Sequence, residues 1–229
     1  MRLIITRPRA DAAPLAAKLE GLGHSSHIMP LMEIVPRDRP GIPDRPYQAI
    51  CITSANGILN HAPMRHLTVT PLLCVGPQSA AAAKAMGFLH VTAQGGDVAG
   101  LSTYITRHLR PADGPILYLS GAATSGDLEG LLTHAGYDVD RVITYDAVAN
   151  TPADLADAVR ASDGVLLYSP RTAILWVEQV EKAGAQQHMS RIMHHCLSPA
   201  VAQRLPHSWR KCTAKTPDEM AMLATLIHP

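Results

Sequence analysis

Six short stretches hold the residues whose types and spacing could do chemistry: Thr6-Arg7-Pro8, Thr53-Ser54-Ala55-Asn56, Val75-Gly76-Pro77-Gln78-Ser79, Ser120-Gly121-Ala122, Ser169-Pro170-Arg171-Thr172 and Leu197-Ser198-Pro199. Each follows an apolar run of strand length, and each is dominated by small hydroxyls, Gly and Pro. For any one of them, capping and turn formation are explanation enough, because Ser and Thr are ordinary N-caps and Gly and Pro ordinary turn residues. Six together ask for more if the preceding strands are parallel, since parallel topology gathers such loops at one edge of each sheet. There they present backbone N–H groups and hydroxyls at helix N-termini, a surface suited to anions. The candidate binding residues are Thr6, Arg7, Thr53, Ser54, Gly76, Pro77, Gln78, Ser79, Ser120, Gly121, Ser169, Pro170, Arg171 and Ser198, with Arg7 and Arg171 as the charged contributors. Other catalytic equipment is scarce: there is no Cys–His dyad, no G-x-S-x-G and no acidic pair in a shared motif.

Composition narrows the classes. The 229 residues allow one large domain or two of about 100–120 residues. With 47% hydrophobic and 17% charged residues the chain reads as globular and not disordered. Twenty Lys and Arg against nineteen Asp and Glu leave a net charge of +1 with no basic run, which argues against a nucleic-acid partner. The opening "MRLIITRPRADAAP" has four apolar residues before a charged turn, neither a secretion signal nor a membrane span, and no later window approaches eighteen apolar residues. Cys51, Cys74, Cys196 and Cys212 are scattered, as expected of reduced thiols in a cytoplasmic protein. Among the twelve histidines, His194 and His195 are adjacent, but neighbours on a strand point to opposite faces and cannot share an ion. With no H-x-x-x-H or H-E-x-x-H, no metal is expected.

The elements that must position these loops are written twice. Residues 3–35 lie against 116–148 without a gap, matching Gly23 with Gly136, Leu15 with Leu128, Leu19 with Leu132 and Val35 with Val148. Residues 49–59 then answer 165–175, 72–87 answer 192–206, and 91–105 answer 212–226. Each unit alternates a short apolar strand with a helix. Leu15, Leu19 and Leu22 make a helical stripe, Gly23 stands at a left-handed C-cap, and Thr216-Pro217-Asp218-Glu219 reads as a helix start capped by Thr216. Strand–helix alternation with continuously apolar strands means parallel sheets covered on both faces. The expected fold is α/β, with two similar doubly wound parallel-sheet domains and ligand beyond the carboxyl ends of the strands.

At "ITRPRADAAPLAAKLEGLGHSSHIMPLMEI", "ITSANGI", "CVGPQSAAAAKAMG", "YLSGAATSGDLEGLLTHAGYDVDRVITYDAV" and "YSPRTAI", in this order and spacing, the chain resembles the uroporphyrinogen-III synthase family over essentially its whole length. Two departures stand out. The family's second Gly-Pro-x-Thr turn is Ser198-Pro199-Ala200-Val201 here, and the first has Ser79 for Thr. The resemblance implies a cofactor-free hydro-lyase of tetrapyrrole (haem, sirohaem, cobalamin, chlorophyll) biosynthesis. It would act as a cytoplasmic monomer, with no nucleic-acid or membrane partner. Its substrate would be hydroxymethylbilane, a linear tetrapyrrole with eight carboxylates, which it closes to uroporphyrinogen III. Water is lost and ring D is inverted through a spiro intermediate. The resemblance also implies a chain that crosses over twice, with 1–34 and 150–229 in one domain, 37–148 in the other, and a two-stranded linker near 35–36 and 147–149 beside a cleft. The family's Tyr falls on Tyr145, at the end of the linker strand and hence at the hinge, as the candidate catalytic acid.

Two rival readings remain. Strand "ILYLS" runs into Gly121-x-Ala123-x-x-Gly126 with Asp146 twenty residues beyond, near a dinucleotide fingerprint, although Ala123 occupies the second glycine's place. That would make a nucleotide-binding oxidoreductase-like domain. A duplicated α/β chain could also be an intracellular two-lobed ligand sensor that binds without converting. Tyr168 reads as a half-buried strand aromatic.

Overall fold

The computed structural model describes residues 1–38, 40–59, 66–94 and 96–227. They form two compact units, Met1–Glu33 with Val148–Pro229 and Ile34–Ala147. The Pro-studded stretch 35–46 contains Arg39, which lies outside the described residues.

In the first unit, strands β1 (Arg2–Ile5) and β2 (Ser25–Ile28) flank helix α1 (Arg9–Gly21). In the second, β3 (Met32–Pro36) is followed by β4 (Ala49–Ile52), α2 (Asn56–Leu59), β5 (Leu72–Cys74), α3 (Pro77–Ala85), β6 (Val91–Ala93) and α4 (Val98–His108). Strand β7 (Ile116–Gly121), α5 (Leu128–His134) and the long β8 (Val139–Ala149) complete it. The chain then returns through α6 (Leu155–Ala161), β9 (Gly164–Leu167), α7 (Pro170–Lys182), β10 (Met193–Cys196), α8 (Pro199–Ala202), β11 (Lys211–Thr213) and α9 (Glu219–Ala224). The sheet orders are β11-β10-β9-β1-β2 and β3-β8-β7-β4-β5-β6. Between β1–β2 and β9–β11, and among β4 to β8, pairing is parallel. β1 lies between β2 and β9, and β7 between β8 and β4, so each repeat's opening strand pair completes the sheet of the other repeat's later strands.

The duplication extends to register. Leu3 stands opposite Ser26 and Ile116 opposite Val139, pairs that match at the 113-residue offset of the sequence. Pairing to the next strand shifts the alignment by one residue: Leu3 meets Gly164 where Ile116 meets Ala49, so Ala49 corresponds to Gly164 and not to Val165. Ser54 thereby falls on Ser169. Strand pairing fixes this correspondence, which short apolar runs in sequence leave free to slip.

Each sheet is buried on both faces, which is why its central strands are apolar without alternation. Ile4, Val165 and Leu167 pack beneath Trp176 and Val180, while Leu3, Ile5 and Leu166 face Leu15, Leu19 and Met222 on the other side. In the second unit Ile50, Ile52, Leu117 and Leu119 share one face and Ala49, Cys51, Ile116 and Tyr118 the other. Leu22 is not part of the buried stripe: it is 52% exposed because the helix has already ended there. Gly23 follows at φ 79° and Gly136, its repeat, at φ 88°, and in each case the next N–H returns to a carbonyl in the last turn. This left-handed C-cap is what glycine permits at little cost. The start of α9 also shifts. Asp218, and not Thr216, caps it, accepting from the Ala221 N–H at 2.9 Å, while the Thr216 hydroxyl supports that carboxylate and Pro217 stays outside the helix.

Close packing sets one fold-level test. A Cβ on Gly57 would stand 2.8 Å from the Leu119 carbonyl oxygen, which is backbone and cannot step aside. Gly57→Ala is expected to destabilise the second unit by about 1–3 kcal/mol, read as a lower urea midpoint; an unchanged midpoint would show that α2 can simply lift off β7.

Candidate functional site

At the carboxyl ends of β4 to β7 the second unit has a cavity of about 390 Å³, lined by Thr53, Val75, Asp97, Ser125, Gly126 and Asp127 among others. Four strand-end loops therefore converge on it. Thr53 Oγ1 lies 3.3 Å from the Tyr118 hydroxyl, and Ser54 Oγ accepts from the Asn56 N–H at 3.3 Å. Gly76 is the N-cap of α3 with Pro77 at the first position; no side chain caps this helix, and Gln78 stands exposed in its first turn while Ser79 is buried. Asp97 and Asp127, which motif spacing did not single out, cap α4 and α5 by accepting from the Gly100 and Gly130 N–H groups. Their signal is present in the sequence as two Asp-x-x-Gly helix starts.

Ser120 and Gly121 are held from beside. The Arg141 guanidinium donates to Ser120 Oγ at 3.0 Å, to the Gly121 carbonyl at 3.1 Å and to the Ala122 carbonyl at 3.2 Å, and pairs with Glu129 at 3.4 Å. Ser120 is 2% exposed, so its hydroxyl works inside the loop and is not a free donor. Tyr145, 9% exposed, is the cross-strand partner of Gly121. Next to it, Asp146 forms a two-point pair with Arg37 at 2.7 and 3.1 Å, whose donated hydrogen bonds hold the carboxyl below its usual range.

In the first unit, Ser169 caps α7, accepting from the Thr172 N–H at 3.1 Å, with Pro170 at the first helical position and Arg171 exposed beside it. Ser198 is the N-cap of α8, where no side-chain cap bond forms. Two of the candidate residues are already engaged by their own unit. Thr6 is fully buried and donates to the Leu166 carbonyl at 2.7 Å, a tie between β1 and β9 that removes its hydroxyl from any ligand surface. Arg7 is folded back, 3.2 Å from Asp11 and 3.6 Å from Glu219, with its guanidinium 4.7 Å from the centre of the Tyr168 ring. Glu219 also pairs with Lys18. Arg7→Ala is accordingly expected to cost about 1 kcal/mol of stability with little change in KM. Arg171→Ala should instead raise KM, since an exposed guanidinium at a helix start is placed to hold an anion. Steady-state kinetics with thermal melts would separate the two; the opposite assignment of KM effects would refute it.

A histidine–cysteine contact that the sequence did not reveal is present: His195 Nδ1 lies 3.2 Å from Cys212 Sγ, brought together by β10–β11 pairing. It is no nucleophile. Burial pushes the Cys212 thiol up and the His195 imidazole down to about 4, so neither carries charge at neutral pH. Among the described residues no group of three or more His, Cys, Asp and Glu is placed to hold a metal ion, and no helix is long and apolar enough to cross a membrane.

Two doubly wound parallel sheets with donor-rich strand ends define an α/β protein of the class that takes ligands at the carboxyl ends of its strands. The uroporphyrinogen-III synthase HemD family model matches residues 13–224, and the chain belongs to that family. The structure is similar to uroporphyrinogen-III synthetase from Helicobacter pylori 26695, with TM-score 0.67, 16% identity and 99% of each chain covered. It is also similar to a mutant uroporphyrinogen III synthase from Thermus thermophilus, with TM-score 0.57, 16% identity, 99% of this chain and 97% of that one. No curated protein matches. The family is one of tetrapyrrole synthesis, acting on a tetrapyrrole, and not one of nucleotide oxidoreductases or sensors. The geometry gives a physical reason against the dinucleotide reading: the carboxylate of Asp127 occupies the N-terminus of α5, where a pyrophosphate would have to lie.

Proposed function

We propose that the chain is a hydro-lyase that closes hydroxymethylbilane to uroporphyrinogen III, with Tyr145 as the proton donor to the departing hydroxyl. The observation that carries this reading is the position of Tyr145, a phenol seated on the strand-end loop Ser120–Ala122 at the same sheet edge as Thr53 and the α3 N-terminus. A phenol ordinarily keeps its proton at neutral pH and can give it to a leaving oxygen. The proton and hydroxyl leave together as water, ring D attacks the electron-poor carbon left behind, and the proton that ring D sheds as its pyrrole is restored returns to the phenolate. Left alone, the bilane closes without inversion, so the protein's larger task is conformational: its donors hold the carboxylates so that ring D attacks through the carbon that leads to the spiro intermediate. Thr53, Ser54, the α3 start at Gly76–Ser79, Ser169–Arg171 and Ser198 supply hydroxyl, N–H and guanidinium donors for that purpose. No step calls for a cofactor. We place the enzyme in the cytoplasm as a monomer.

The test is a coupled assay with freshly generated hydroxymethylbilane, resolving type I from type III product. Type III as the main product supports the reading; type I at the uncatalysed rate, with reversible binding of the bilane, would favour a sensor.

A further inference from the structure

Along β7 and β8 the pairing runs evenly from Ile116↔Val139 to Ser120↔Ile143, and then slips, so that Gly121 meets Tyr145 and Thr144 is left over. The irregularity is held by two bonds: the Ala122 N–H donates to the Tyr145 carbonyl at 3.0 Å, and Thr144 Oγ1 to the Ser120 carbonyl at 3.3 Å. It turns the Tyr145 ring across the end of β7, into the space where residue 121 would carry a side chain. A Cβ built on Gly121 would lie 2.7 Å from Cζ, 2.8 Å from Cε2 and 3.0 Å from the hydroxyl oxygen of Tyr145. No real Cβ tolerates such distances, so glycine is required here for close approach. The same loop is also held by Arg141, whose fork takes Ser120 Oγ and the carbonyls of Gly121 and Ala122 at once. One side chain thus orders three successive residues of the loop that carries the ring.

We propose that Gly121 and Arg141 are positioning residues that together set where the Tyr145 hydroxyl stands. Gly121 provides the seat and Arg141 keeps it in place. This inference rests on the reading of Tyr145 as the proton donor. It also gives Gly121 a role different from contacting substrate. The atoms that would crowd a methyl group added at Gly121 are the far end of a side chain and not backbone, so the substitution displaces the phenol and leaves the strand paired.

Four variants test this: Tyr145→Phe, Gly121→Ala, the double variant, and Arg141→Lys, which can satisfy only part of the fork. Each is assayed with hydroxymethylbilane for kcat and KM of type III formation. In parallel, the six tyrosines are labelled at ¹³Cζ, and the Tyr145 resonance is assigned by its loss in Tyr145→Phe. The expected result is that Gly121→Ala lowers kcat at least tenfold with KM within about threefold. Adding it to Tyr145→Phe should cost less than a further twofold, because both act through one hydroxyl. In Gly121→Ala the Tyr145 resonance should move more than that of any other tyrosine. Full kcat with an unmoved resonance, or losses that multiply in the double variant, would overturn the proposal. If Gly121→Ala yields no folded protein, Arg141→Lys decides by the same two readouts. If Tyr145→Phe keeps full type III synthesis, the proton-donor reading fails, and the resonance alone then decides whether Gly121 and Arg141 place the ring.

Discussion

Tyr145→Phe is expected to lower kcat for type III synthesis by about 10–100-fold, with KM nearly unchanged and the thermal midpoint retained. The substitution removes one oxygen and keeps the ring, which fills the space over Gly121 and is 9% exposed. Packing is thus preserved, and what is lost is the hydroxyl, with its proton and the contacts it makes. General-acid assistance is typically worth 10²–10⁴-fold. The bilane's hydroxyl leaves readily without help, which places the expected loss around or just below the bottom of that range. A group that acts only as the bond breaks affects kcat and kcat/KM equally, so KM should stay put. Initial rates from freshly generated bilane, with products resolved by isomer, supply the measurement. Full type III synthesis by the variant would reduce the phenol to a packing group, and positioning of the carboxylates would then have to account for the whole rate.

What sequence could and could not foresee follows from the range of the interactions. Strand–helix alternation, the duplicated units and the glycine C-caps at Gly23 and Gly136 are local or periodic, and the structure has them. The family match over 13–224 likewise agrees with motifs that sequence displays in order. The fate of individual side chains is another matter, because it depends on residues far away in the chain. Arg7 looks like a free cation at a strand end until Glu219 arrives, 212 positions later, on the N-terminus of α9. Thr6 looks like a donor until β9 offers the Leu166 carbonyl. Arg141 carries no motif at all, yet it orders the Ser120–Ala122 loop, since only strand pairing puts its side chain beside that loop. The one-residue slip at Tyr145 is likewise a property of two paired strands and of neither alone. By contrast Asp97 and Asp127 were readable, since a helix N-cap is decided within four residues.

The first unit is expected to lose stability as pH falls from about 6.5 to about 4, and the cause is the adjacent pair His194 and His195. Both are fully buried on β10 and point to opposite faces of the sheet. His194 stacks on Trp209 with ring centroids 4.9 Å apart, meets the edge of Trp176, and holds the Arg210 carbonyl at 2.8 Å through Nδ1. His195 contacts Thr225 Oγ1 at 2.8 Å and Cys212 Sγ at 3.2 Å, while its Nε2 is buried without a partner among the described residues. No carboxylate of the described residues appears in either set of contacts. Burial is the main force lowering each imidazole to about 4; Lys211 adds to it at His194, and His194 and His24 add to it at His195. An unfolded chain protonates these groups near 6.5, so between 6.5 and 4 it binds more protons than the folded one, and acid favours unfolding. The contribution of the two neutral imidazoles is complete above 6.5 and fully lost below 4. A shift of that size corresponds to about 3 kcal/mol per histidine, a large share of the about 5–15 kcal/mol that holds a typical domain together. The chain's two tryptophans, Trp176 and Trp209, both touch His194, so tryptophan fluorescence reports this region directly. Urea titrations followed by fluorescence should show the midpoint dropping steadily from pH 7 to pH 4.5, and a His194→Gln, His195→Gln variant should flatten that slope whatever its stability at pH 7. A midpoint independent of pH across this window in the unaltered protein would mean that both histidines reach protons in the folded state.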